Sequence, residues 1–128
     1  MLKIRREQTE AFREVEIKGF EDRMLDHLWT LFPANCEVLG DASLRRLVRE
    51  GITRAARYGI DTEYGVCVFV DAMFAYGRDF DTDPSLPWAL EILTSRSIRG
   101  QHLRADRLFD AALEHLDAAR GIRAEEVR

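Results

Sequence analysis

Cysteine, proline and glycine are scarce in this chain, with two, three and eight of them among 128 residues. Cys36 and Cys67 each fall inside an apolar-periodic segment, with no second Cys or His at metal-ligand spacing. They therefore give neither a disulfide framework nor a zinc pattern, and they read as buried free thiols. So little Gly and Pro, with no low-complexity run, excludes collagen-like or linker-like architecture and wholesale disorder. No apolar run reaches the roughly 18 residues of a membrane span, and the most apolar stretch, 66–76, is interrupted by Asp71. Positive charge does not dominate either. With 19 Lys and Arg against 23 Asp and Glu the formal net charge is −4, which disfavours general nucleic-acid binding through counterion release. The first ten residues are basic and then alternately charged, without the apolar core of a secretory signal. The expected location is therefore the cytoplasm, with neither nucleic acid nor membrane as partner.

What the chain does have is helical periodicity. Over residues 8–32, Phe12, Phe20, Met24, Leu28 and Leu31 recur three or four apart, with Val15 and Ile17 widening the stripe. Glu10, Arg13, Glu14, Glu21, Asp22 and Arg23 fill the polar side, so the spacing predicts a long amphipathic helix that Pro33 ends. A short turn or helix over 34–39 follows, then a break at Gly40-Asp41. Asp41 or Ser43 caps a new helix with Leu44, Leu47, Val48, Ile52 and Ala55 inward, closing at Tyr58-Gly59. Gly51 inside that helix either weakens it by up to about 1 kcal/mol or marks a close helix crossing.

Thr62 caps the next helix, where Val66, Phe69, Val70, Met73, Phe74 and Tyr76 put apolar surface nearly all round before Gly77 stops it. Residues 66–70 also suit a buried strand, but the sequence offers no partner strand. An acidic loop with two prolines, anchored by Phe80, leads to a short helix carrying Trp88, Ala89, Ile92 and Leu93. A last helix, about 101–119, carries Leu103, Leu108, Phe109, Ala112, Leu113 and Leu116. The expected fold is all-α, a single compact domain of about five or six helices over residues 1–120, with a charged, frayed tail at 121–128. Its expected core is Phe20, Met24, Leu28, Leu47, Val48, Phe69, Val70, Met73, Phe74, Ile92, Phe109, Leu113 and Leu116.

Chemical motifs are sparse. Asp79-x-Asp81-x-Asp83 opens like a calcium loop, but Pro84 stands where the sharp turn needs Gly and Leu90 where a bidentate Glu belongs. Those carboxylates read instead as caps of turns and of the helix that follows. His27, His102 and His115 lie on different helices without a two-ligand spacing. No serine has a nucleophile-elbow context, no glycine-rich phosphate loop occurs, and Cys67 lacks an activating sequence context. No enzyme activity, cofactor or metal site is expected. Asp71, inside the most apolar helix, needs a partner, and Arg45, Arg46, Arg49, Arg54 and Arg57 are the candidates. A structural ion pair is favoured over a catalytic acid. The same arginines otherwise make a solvated basic face, an anion or partner site being the alternative. Trp29, Tyr58, Tyr64, Tyr76 and Trp88 are candidate contact aromatics, Trp88 serving either as a core plug or as the centre of a docking groove.

The stretch from Arg54 to Asp61 (RAARYGID), then 66–77 (VCVFVDAMFAYG), Asp79-Phe-Asp-Thr-Asp-Pro, Leu86-Pro-Trp-Ala and Ile92-Leu93 resembles a family of small helical bacterial proteins. Their genes lie beside type VI secretion effector and spike-tip genes. The resemblance covers most of the chain, 54–93 being its most specific part. It implies an accessory role, as a chaperone or adaptor holding an effector or spike component, and brings no catalytic residues. The expected function is thus binding of a protein partner by a monomer or homodimer. Asp79, Asp81, Asp83 and Trp88 are the expected contacts, and Arg54 and Arg57 either support that surface or pair with Asp71. Replacing the three loop aspartates by Asn is then expected to weaken binding with little change in thermal stability. The alternatives are a cytosolic immunity protein whose acidic loop blocks a basic toxin cleft, or a small metal-dependent enzyme using Asp71 or the acidic loop.

Overall fold

A computed structural model describes residues 14–116, 119, 121 and 122. The chain runs through α1 (Glu14–Leu31), α2 (Pro33–Ala56), α3 (Glu63–Tyr76), a 3-10 turn (Phe80–Thr82), α4 (Pro87–Thr94) and α5 (Gln101–Glu114), with no strand among the described residues. The expected all-α single domain is what forms, and residues 66–70 are helical. The part of the first expected helix before Glu14, with Phe12, lies outside the described residues.

Phe32 alone separates α1 from α2, and Pro33 takes the first helical position of α2, where its missing N–H costs nothing. Gly40 then bends α2, with φ 79° and ψ 162° inside an otherwise continuous helix, so the two pieces foreseen on either side of Gly40-Asp41 are joined end to end. Thr62 is the N-cap of α3, its Oγ1 accepting from Gly65 N at 3.0 Å.

α3 is the hub, packed against α1, α2, α5 and the 3-10 turn, while α4 lies on α5 and that same turn. Nine of its fourteen residues are buried, as a helix apolar on all sides requires. Gly51 lets α2 approach it closely: a Cβ there would lie 2.4 Å from Val70 Cγ2. Of the alternatives its sequence position left open, the close crossing is the one realised.

Two expectations about the end of the chain are corrected. Phe109, Leu113 and Leu116 are not core residues; they are 45%, 51% and 55% exposed, because α5 turns Ala105, Leu108 and Ala111 inward instead. Nor does the domain stop at residue 120. Gly121 N and Ile122 N donate to Ala75 O and Phe74 O at 2.8 and 2.9 Å, Asn35 Nδ2 donates to Ile122 O at 3.1 Å, and Ile122 is buried. The carbonyls at the end of α3, which lack partners within the helix, are satisfied by this returning strand of chain. Residues 123–128 lie outside the described residues.

Candidate functional site

The sequence places its contact residues on the loop between α3 and α4, and the structure shows what each does there. Phe80 is fully buried and meets Phe69 edge-on, ring centroids 4.9 Å apart, which holds the loop on the core. Asp81 beside it is 2% exposed. Its Oδ1 accepts from Arg54 Nη2 and its Oδ2 from Tyr58 Oη at 2.7 Å. Arg54 Nη1 also donates to Asp79 Oδ1 at 2.8 Å and to the Arg78 carbonyl at 2.9 Å, so one buried guanidinium from α2 ties down the whole start of the loop. Asp83 Oδ1 accepts from the amide and hydroxyl of Ser85 at 2.9 and 2.7 Å, an Asx turn leading into α4.

Arg54 and Asp81 are therefore structural partners with no surface to offer, which corrects their assignment as contact residues. Three Asp→Asn changes are therefore expected to cost stability, contrary to the sequence expectation, since Asp79 and Asp81 supply two of the carboxylates paired with the buried Arg54 guanidinium. Asp79 keeps an exposed carboxylate while paired, and Arg57 stands exposed at the end of α2. Glu50 extends the network, accepting from Arg78 Nε at 2.7 Å and Arg54 Nη1 at 3.2 Å. Burial works against its charge, but the two guanidiniums outweigh burial and hold its pKa below the usual glutamate value. Burial first, and its bond to Asp81 second, push the Tyr58 hydroxyl up to about 12, so it remains a donor.

The remaining arginines of α2 are also engaged. Arg45 donates to Glu21 at 3.1 Å and to Asp22 at 2.8 Å, and Arg49 donates to the other oxygen of Glu21. Glu21, placed on the polar side of α1 by periodicity, is in fact buried between α1 and α2. Asp71 has none of these arginines as its partner. It pairs with His27 of α1, whose Nε2 lies 2.9 and 2.8 Å from its two carboxylate oxygens, and Cys67 Sγ stands 3.6 Å from the same Nε2 and 3.9 Å from Asp71 Oδ2. Burial raises the Asp71 pKa, opposed by the bond from His27. Burial, reinforced by the nearby Asp71 charge, pushes the Cys67 thiol up to about 12, the opposite of what a nucleophilic cysteine needs. Cys67 and Asp71 are four apart on α3 and so share a face. His27 comes from another helix, so its arrival could not be read from spacing.

Trp88 is half-buried, edge-on to Tyr76 and stacked on His115 with centroids 5.0 Å apart at 13°, which makes it the plug of the two sequence alternatives. The surface that stays uncovered is elsewhere. Phe109, Leu113 and Leu116 recur at four- and three-residue spacing beside the buried positions Ala105, Leu108 and Ala111, forming an apolar shoulder that α3 and α4 leave open. The signal for it was present in the sequence, since α5 carries a wider apolar arc than one flank of a small bundle covers.

Comparison with known proteins finds no matching family model, no matching curated protein and no matching solved structure.

Proposed function

We propose that this chain is a non-catalytic protein-binding accessory protein, a chaperone or adaptor for a type VI secretion effector or spike component, which engages its partner on the apolar shoulder of α5. The observation that carries the binding half of this reading is the exposure of Phe109 and Leu113 on α5 and of Leu116 just past its end. Contiguous apolar side chains of this size on an ordered helix are the usual anchor for an amphipathic segment of a partner. The secretion half rests on the resemblance of residues 54–93. The burial that raises the Cys67 thiol pKa and the structural use of Asp81 support a role without catalysis.

The test is co-expression with the products of neighbouring genes, comparing the wild type with a Phe109→Gln, Leu113→Gln, Leu116→Gln variant. The variant should fold with stability within about 0.5 kcal/mol of wild type. It should bind the partner about tenfold more weakly or worse. A soluble and still-active partner supports the chaperone or adaptor reading. An inactivated partner replaces it with the immunity reading. Undiminished binding by the variant removes the α5 shoulder from the interface, and a wild-type dimer that the variant converts to monomer makes a second copy of this chain its occupant.

A further inference from the structure

The His27, Cys67 and Asp71 cluster lies apart from the α5 shoulder and has no part in the binding proposed above. Three different donor types, an imidazole nitrogen, a thiol sulfur and a carboxylate oxygen, converge there within 4.8 Å of one another, all on half-buried residues. A cysteine, a histidine and an aspartate together suggest a proton relay, but the geometry refuses one. A relay uses opposite ring nitrogens, one facing the nucleophile and the other the carboxylate. Here both Cys67 Sγ and Asp71 face the same atom, His27 Nε2. What such convergence suits is a shared central ion.

Zinc-type bond lengths of about 2.0–2.1 Å to nitrogen, about 2.3 Å to sulfur and about 2.0–2.2 Å to oxygen, set at tetrahedral angles, require edges of roughly 3.4 Å between N and O and roughly 3.6 Å from sulfur to either. The observed sulfur edges are 3.6 Å to Nε2 and 3.9 Å to Oδ2, and the N to O edge is 2.8 Å. Two edges already match within a few tenths of an ångström. The third needs to open by roughly half an ångström, the adjustment expected when a direct hydrogen bond gives way to a bridging ion. Cys67 and Asp71 are held one turn apart on the most buried helix, so that pair is preorganised. The His27 side chain is 36% exposed, which leaves a solvent-facing side for entry and for a fourth ligand.

We propose that His27, Cys67 and Asp71 form a three-ligand site for a divalent transition ion of the zinc class, with a fourth position open to water. The mixed sulfur, nitrogen and oxygen set selects borderline ions over calcium and magnesium, which take oxygen ligands. On binding, the thiol releases its proton to solvent, the ring hydrogen resides on Nδ1, and Nε2 presents its lone pair.

The test uses the full chain, stripped with a chelator and titrated with Co²⁺ as a spectroscopic probe and then with Zn²⁺. One equivalent of Co²⁺ should produce thiolate-to-metal charge-transfer absorption together with tetrahedral ligand-field bands, both displaced by Zn²⁺. Cys67→Ser should abolish the charge-transfer absorption. His27→Gln and Asp71→Asn should each weaken Zn²⁺ affinity at least about tenfold, whereas His102→Gln, which alters an exposed pair with Asp106, should not. Alkylation of the wild type gives a readout that needs no variant. Cys36 is fully buried, so modification reports Cys67, and Zn²⁺ should slow it. Absence of charge-transfer absorption, binding that survives Cys67→Ser, or alkylation unaffected by Zn²⁺ overturns the site and leaves a hydrogen-bonded His27 and Asp71 pair.

Discussion

Gly51→Ala sets two well-characterised effects against each other at one position. Alanine favours the helix over glycine by about 1 kcal/mol, so at an exposed site this change stabilises. At Gly51 the added Cβ would lie 2.4 Å from Val70 Cγ2, whereas carbon atoms in contact rest at about 3.5–4.0 Å. The helices would have to part by more than about 1 Å, or Val70 would have to turn away. Val70 is fully buried and β-branched, with a single favoured rotamer in a helix, so turning is resisted. Overpacking of this kind costs about 1–3 kcal/mol, and subtracting the propensity gain leaves a net loss of about 0–2 kcal/mol. For a chain of this length that corresponds to a fall in Tm of up to roughly 10 °C, measurable by thermal and urea unfolding. Val70→Ala in the Gly51→Ala background removes the clashing methyl groups, so the double variant should be less destabilised than the sum of the two single changes by at least about 0.5 kcal/mol. A Gly51→Ala protein more stable than wild type by about 1 kcal/mol would refute the close crossing.

Two further outcomes test the loop network. Asp81→Ala removes the buried carboxylate of Arg54 and leaves Tyr58 without an acceptor, while Asp79 and Glu50 still face the guanidinium, and should destabilise by about 2–3 kcal/mol in denaturant titration. A loss below about 1 kcal/mol would return Asp81 to the list of surface residues. Glu50, whose folded pKa is depressed, contributes stability that is present above its unfolded pKa, about 4.3, and is lost as pH falls through the folded value. The stability advantage of wild type over Glu50→Gln should therefore be full at pH 7 and fade between about pH 5 and pH 3, and an advantage that grows on acidification would contradict the sign.

Helix positions, the break at Gly40, the cap at Thr62 and the anchoring by Phe80 were legible in the sequence because each depends on residues close together in the chain. Partners that cross between helices were not. Asp71 demanded a counter-group by its apolar surroundings, and the sequence pointed to five arginines, whereas the packing of α1 on α3 brings His27 to it instead. Periodicity likewise placed Glu21 on the polar side of α1, where Arg45 and Arg49 reach over and enclose it. For α5 the apolar arc was read correctly, but periodicity gives only the width of an arc and says nothing of how much of it neighbouring helices cover. Phe109, Leu113 and Leu116 are the excess.

The return of Gly121 and Ile122 to the end of α3 carries a consequence for synthesis. Asn35 and Ile122 are 87 positions apart, so their contact closes a loop that spans most of the domain. A chain emerging from the ribosome can assemble α1, α2 and much of α3 early, but it cannot complete the end of its central helix until residue 122 has emerged. Until residue 122 arrives, the Phe74 and Ala75 carbonyls and the site that Ile122 fills lack the partners that the folded domain gives them, so closure of the central helix waits on a segment far along the chain.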